Sequence, residues 1–174
     1  MKEMVRYGFI LAVICLIAGA SLAGMNALTK DKIMAQEKAE EEASLKEVMP
    51  QAVKFQAVMA DGEVVYYRAL DLNEKFIGIA FKASAKGYSS LVQTMAGYTC
   101  DGKITAIKIL SQNETPGLGA QVAEPHFTGQ FRNKNIEALS QVQAITGATI
   151  SSRAVIDAVR QRAQELKERI KDER

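Results

Sequence analysis

The chain has 174 residues, 48% of them hydrophobic and 24% charged, which suits one medium domain with an appendage. Its formal net charge is +2. No Lys/Arg run interleaves with aromatic residues, so a nucleic-acid partner is set aside. Cys15 and Cys100 are far apart, and neither belongs to a CxxC pair, so no disulfide, zinc site or iron–sulfur site is expected of this chain alone. The lone His126 reads as a loop residue beside Phe127 rather than a metal ligand.

Tyr7 to Met25 is a run of 19 residues without charge, close to the roughly 20 needed to cross a bilayer. Lys2 and Arg6 precede it, and Tyr7 stands where an interfacial aromatic is expected. Ala18-Gly19-Ala20 has the A-x-A form of a signal-peptide cleavage site. The run is longer than a usual signal core, however, and passes without a breaker into a charged helical stretch. The expectation is a retained transmembrane anchor over 1–28, with cleavage as the alternative. Lys30, Lys32 and Lys38, diluted by Asp31 and Glu37, give a lean toward a cytoplasmic N-terminus and an extracytoplasmic domain.

Thr29 to Val48 reads as a helical stalk (29–50) continuing the span, with Lys38–Glu42 and Glu42–Lys46 as supporting i,i+4 pairs. The acidic cluster Glu40-Glu41-Glu42 reads as a solvated face, and Pro50 as the end of the stalk.

From 51 onward the pattern becomes strand-like. Asp61-Gly62 divides Ala52–Met59 from Glu63–Leu70, and Asp101-Gly102 divides Leu91–Thr99 from Lys103–Leu110. Both are hairpin signals of the type I′ kind. Phe76–Ala83 alternates, placing Ile77, Ile79, Phe81 and Ala83 on one face. Ile107 and Ile109 share a face, with Lys108 opposite. Gln112 to about Asn135 lacks periodicity and reads as a long loop of the functional kind. Ile150 to Ile170 is an amphipathic helix whose stripe is Val155, Ile156, Val159, Ala163, Leu166 and Ile170. Its last turns, Lys167 to Arg174, are charged. The fold class is α+β: an antiparallel sheet covered on one face by helices, behind an N-terminal span and stalk.

Catalytic patterns are missing. With one histidine there is no Ser/His/Asp set, and there is no G-x-S-x-G, Walker or H-E-x-x-H sequence. Two loops remain. In Asn113-Glu114-Thr115-Pro116-Gly117-Leu118-Gly119, Pro-Gly suits the centre of a type II turn, and Gly119 allows a close approach. Thr146-Gly147-Ala148-Thr149, followed by Ser151-Ser152, opens the last helix, where unpaired backbone N–H groups attract a phosphate. Helix capping by Thr146 or Thr149 is the plainer reading of the second motif.

Together the two motifs, about thirty residues apart, resemble the FMN-binding domain shared by the Rnf and Nqr electron-transport complexes, most closely the G subunit of Rnf. The resemblance covers nearly the whole chain: span, stalk, Gly87-Tyr88 ahead of a strand, the Asp101-Gly102 hairpin, the PGLG loop and the final helix. It implies a 51–174 FMN-binding domain with FMN joined to Thr149 as a phosphoester by a separate flavin transferase outside the cytoplasm. Thr146, Gly147 and Ala148 would shape the turn. Thr115, Gly117, Leu118 and Gly87-Tyr88 would lie near the flavin or its ribityl chain. Glu114, Ser151 and Ser152, which flank these motifs, are counted with the cofactor site. Gln143 stands three residues before Thr146, where the family usually has Asp. The implied function is an electron relay in a membrane complex that moves electrons between ferredoxin and NAD and drives sodium or proton translocation. The implied partners are the other Rnf subunits, the transferase and the membrane. A flavin-free assembly module, the corresponding subunit of a sodium-pumping quinone reductase, and a secreted flavoprotein are the alternatives.

Overall fold

The computed structural model describes residues 2–60 and 62–172. Packing divides the chain into two compact units, residues 1–40 and 41–174. Helix α1 runs over Lys2–Val48. Within the first unit its apolar side chains lie open on all sides, among them Phe9, Leu11, Ile14, Leu16 and Leu22. Each such side chain gains roughly 1.5–3 kcal/mol on leaving water. Among the described residues this is the one helix long and apolar enough to cross a bilayer, as a membrane anchor would.

In the second unit, β1 (Lys54–Ala60), β2 (Glu63–Leu70), β3 (Phe76–Lys86), β4 (Leu91–Thr99), β5 (Lys103–Ser111) and β6 (Lys134–Asn135) form one sheet in chain order. Every neighbouring pair is antiparallel. Helix α3 (Thr149–Asp172) covers one face along β3 and β4. All six residues of its stripe are buried, against Ile79, Phe81, Ala96, Tyr98, Ile104 and Ile107 of the sheet.

The other face is not left bare, as a single covered face would have it. Leu45, Val48, Met49 and Ala52 pack there on Ala69, Ala80 and Met95 in a second core. The helix end sits close because the sheet offers small residues, and Gly97 lies directly beneath Val48 and Met49. Polar links hold it as well. Glu41 accepts hydrogen bonds from Tyr67 Oη and Lys82 Nζ, Lys108 pairs with Glu47, and Thr105 Oγ1 donates to the Val48 carbonyl. Burial pushes the Tyr67 phenol well above its usual range, and the Glu41 carboxylate adds to the rise. Glu41 is therefore a docking group, unlike its exposed neighbour Glu42. Glu42 and Lys46 form no ion pair; the carboxylates at 41 and 47 face sheet lysines instead.

Three further expectations are corrected. The second hairpin is not type I′, which needs a positive φ at Asp101 as well as Gly102. Its loop has three residues, with Gly102 N–H on the Thr99 carbonyl and Gly102 alone at φ +81, so glycine forms a bulge after an ordinary turn. In the first hairpin Gly62 has φ +84, and Asp61 lies outside the described residues, as do Glu173 and Arg174 of the expected charged helix end. Ile77 does not share a face with Ile79. Ala69 pairs with Gly78 and Leu70 with Phe76, so Ile77 is the extra residue of a β-bulge and turns to the second core. Finally, the segment from Gln112 is not a plain loop. It holds 3-10 turns over Gly119–Ala123, Gly129–Phe131 and Glu137–Gln141, with the short helix α2 (Pro125–Thr128) and β6 among them. It closes the edge of the main core with Val122, Phe127, Phe131, Ile136, Leu139 and Val142. His126 is exposed on α2.

Candidate functional site

The start of α3 is built by a turn. The Ala148 N–H donates to the Ile145 carbonyl at 2.9 Å, and Gly147 takes φ +81, the left-handed value a type II turn needs at its third position. Ser152, fully buried, ties this turn to the helix: Oγ accepts from the Ile145 N–H at 3.0 Å and donates to the Ala148 carbonyl at 2.9 Å. Ala148 precedes the helix and carries no capping oxygen. Neither Thr146 nor Thr149 caps it, and among the described residues no side chain accepts from the N–H groups of Thr149, Ile150 or Ser151. A helix of 24 residues thus opens with its positive end unclaimed and the Thr149 side chain exposed beside it.

The PGLG loop meets this turn. Leu118 N–H bonds the Thr115 carbonyl at 3.2 Å with Gly117 at φ +72, the expected type II turn around Pro116-Gly117. A Cβ on Gly147 would stand 3.3 Å from Leu118 Cδ2, so the two motifs are in contact.

A third segment joins through Glu114, which is only 5% exposed. Oε1 accepts from the N–H groups of Ser89 (3.0 Å) and Ser90 (2.8 Å) and from Ser90 Oγ (3.2 Å). Oε2 accepts from the Tyr88 N–H (3.2 Å) and from Ser151 Oγ (2.5 Å). Two glycines make room for the carboxylate: a Cβ on Gly87 or on Gly119 would each stand 2.7 Å from one of its oxygens. Burial pushes the Glu114 carboxyl up, but the bonds from Ser151, Ser90, Ser89 and Tyr88 outweigh it and bring it down to about 2. A carboxyl lowered in the folded state stabilises the fold above its unfolded value of 4.5 and loses that contribution as pH falls toward 2. Denaturant melts across this window should show an acid loss of about 2 kcal/mol, the scale of a hydrogen bond to a charged group. Glu114→Gln should be less stable at neutral pH and lack that loss.

These segments enclose a cleft of about 480 Å³, within the range of small-molecule sites. Its walls are Tyr88, Leu118 and Ile150, which expose 70%, 47% and 56% of their surface, with Glu114, Thr115, Gly119 and the 147–151 turn around them. Of the residues expected at the site from sequence, Tyr88, Glu114, Thr115, Leu118, Gly147, Ala148, Thr149 and Ser151 line the cleft. Gly87 and Gly117 shape the loops behind it, Thr146 is exposed in the turn, and Ser152 faces the interior. Ile150 was not expected there. It begins the helix but points away from the stripe, and its residue type alone marks it as core. The Gln143 backbone is clasped by the Gln130 amide, at 2.9 Å to its N–H and 3.3 Å to its carbonyl, and its side chain is exposed.

The arrangement fits a flat, partly apolar molecule with an anionic end: aromatic and aliphatic walls on one side, an uncapped helix start on the other. Comparison with known proteins agrees. Residues 87–164 match the FMN-binding domain family, and residues 1–48 match the RnfG N-terminal region. The G subunit of the ion-translocating oxidoreductase complex of Methanosarcina acetivorans is 33% identical over 91% of this chain and 92% of its own. The G subunit of the proton-translocating ferredoxin:NAD(+) oxidoreductase complex of Clostridium ljungdahlii is 32% identical, covering 90% and 88%. The G subunit of the Na(+)-translocating complex of Acetobacterium woodii is 32% identical, covering 91% and 89%. In fold, the chain is similar to the crystal structure of the C subunit of the Na(+)-translocating NADH-quinone reductase from Parabacteroides distasonis, with a TM-score of 0.60 over 79% of this chain and 95% of that one at 15% identity. The chain belongs to the family of G subunits of Rnf-type ion-translocating oxidoreductase complexes, with an FMN-binding domain.

Proposed function

We propose that this chain is an electron-relay subunit that holds FMN as a phosphoester on Thr149 Oγ1. The observation that carries the reading is the electrostatics of the cleft: an uncapped helix start beside an exposed threonine, and a lining that contains one carboxylate and no lysine or arginine. Free FMN would bring a phosphate near −2 into such a wall without a countercharge. A phosphodiester keeps one negative charge, within what a helix N-terminus stabilises. In forming it, Thr149 Oγ1 bonds phosphorus as the donor's P–O bond breaks, and the hydroxyl proton leaves with the departing nucleotide. The donor is therefore a pyrophosphate-linked flavin, handled by a separate transferase.

When bound, FMN supplies the one- and two-electron chemistry. The chain itself holds the phosphate at the start of α3, offers Tyr88, Leu118 and Ile150 to an apolar ring, and leaves one side open to partners. We read 1–28 as anchor, 29–50 as stalk and 51–174 as flavin domain, the last turns of the stalk packing as part of that domain. The other subunits of the complex are the redox partners, by analogy with relatives named for ferredoxin:NAD(+) oxidoreductases. Those relatives differ in coupling ion, so both sodium and proton remain in the proposal. One spanning helix provides no ion path of its own.

The test is intact mass of the full chain, made with a flavin transferase present, read with ultraviolet fluorescence of the denatured band. Gain of FMN less one water is the expected result, and an unmodified chain counts against the reading. That outcome would favour the second reading, a flavin-free assembly module, which Gln143 motivates because it lacks the charge the family usually carries there. The extracytoplasmic placement of the domain has its own check. Leu72 is 83% exposed, so Leu72→Cys, in a chain without Cys15 and Cys100, should react with an impermeant maleimide on intact cells. Labelling only after lysis would reverse the orientation.

A further inference from the structure

Glu114 lines the proposed flavin cleft, yet each of its oxygens is committed elsewhere. It gathers donors from two distant segments, the 88–90 loop and Ser151 in the first turn of α3, and sits between two glycines that leave it space. An ionised carboxylate only accepts, so every one of these groups points its hydrogen inward. The Ser151 hydroxyl is thereby committed to Glu114, and the residue is 1% exposed. Thr149 lies two residues earlier in the same turn. The main core holds α3 along β3 and β4, and at the level of Thr149 the link from the first turn of α3 to the 88–90 loop runs through Glu114.

We propose that Glu114 is a positioning residue for Thr149: through Ser151 it fixes the first turn of α3 against the 88–90 loop, and so sets where the Thr149 hydroxyl stands when it is modified. The inference rests on attachment at Thr149. It assigns Glu114 no contact with the flavin. Glutamine at 114 would turn an amide N–H₂ toward backbone N–H groups of 88–90, which can only donate, weakening the joint while keeping the size.

The test follows flavinylation of the full chain in detergent, with purified flavin transferase and FAD, by intact mass at several chain concentrations. For Glu114→Gln we expect kcat to fall at least tenfold while KM for the chain stays within threefold, because the transferase still docks but meets a misplaced hydroxyl. Amide exchange at 88–90 should quicken in the same variant. A wild-type rate, or a rise in KM with kcat unchanged, would overturn the positioning role and leave the Thr149 tether standing. A wild-type chain that takes up no flavin would overturn both. Should Glu114→Gln not fold, Ser151→Ala decides: it removes one arm of the joint, and a fall in kcat of threefold or more supports the role, whereas an unchanged kcat overturns it.

Discussion

Thr149→Val should yield a full-length protein with no flavin mass and no fluorescent band, whereas Thr149→Ser should keep both. The effect is expected to be complete because the other hydroxyls nearby are poor substitutes. Ser151 Oγ donates to Glu114 and Ser152 Oγ to the Ala148 carbonyl, and both residues are buried. Thr146 is exposed, but it lies in the turn before the helix, without the run of free N–H groups that opens at Thr149. Thr146→Val is accordingly expected to keep the adduct. Valine matches threonine in shape, so the melting temperature of Thr149→Val without flavin should match that of unmodified wild type. An adduct that persists in Thr149→Val would move the attachment elsewhere and end the assignment.

Gly97→Ala should be strongly destabilising for the addition of one methyl group. The added methyl would overlap Thr105 Oγ1 and the Val48 carbonyl and lie 2.9 Å from Met49 Cγ. Two of these neighbours form the hydrogen bond between sheet and helix end, and one of them is backbone, so neither can step aside cheaply. Overpacking of this kind costs about 1–3 kcal/mol, and loss of the hydrogen bond about 1 kcal/mol more. A fall of roughly 10 °C in melting temperature is expected for a domain of this size. The main core lies on the opposite face, so flavinylation should survive at temperatures well below the melt. An unchanged melting temperature would mean that the helix end is not seated on Gly97.

Much of this was legible in the chain, and the limits have physical causes. β2 and β4 run over the residues expected of them, bounded by Asp-Gly turns, and the α3 stripe is buried at all six places because one helical repeat decides its inside face. Ile77 was misplaced because a bulge inserts one residue and reverses the alternation; Gly78 within the strand is the local sign of it, and the alternation of apolar residues masks that sign. The 112–142 segment was unreadable for a related reason: turns of three to five residues bury Val122, Phe127, Phe131 and Leu139 one at a time, with no common period. The type II turns at Gly117 and Gly147 could be read, since glycine and proline act locally. Glu114 could be counted with the site but not understood, because its donors lie 24 to 37 residues away. Glu41 looked like one of three equivalent acids until Lys82 and Tyr67 singled it out.

The long reach of Glu114 also sets a sequence of events. The 88–90 loop, the 114–119 loop and the start of α3 meet only when the strands between them have paired and α3 has closed over the sheet. Under the proposed attachment at Thr149, the arrangement around it would be complete only in a chain whose β3–β5 strands and α3 are all in place. A transferase that read this arrangement would act as an inspector, marking finished domains and passing over unfinished ones. Flavin content in a membrane preparation would then report the fraction of chains that completed folding before maturation.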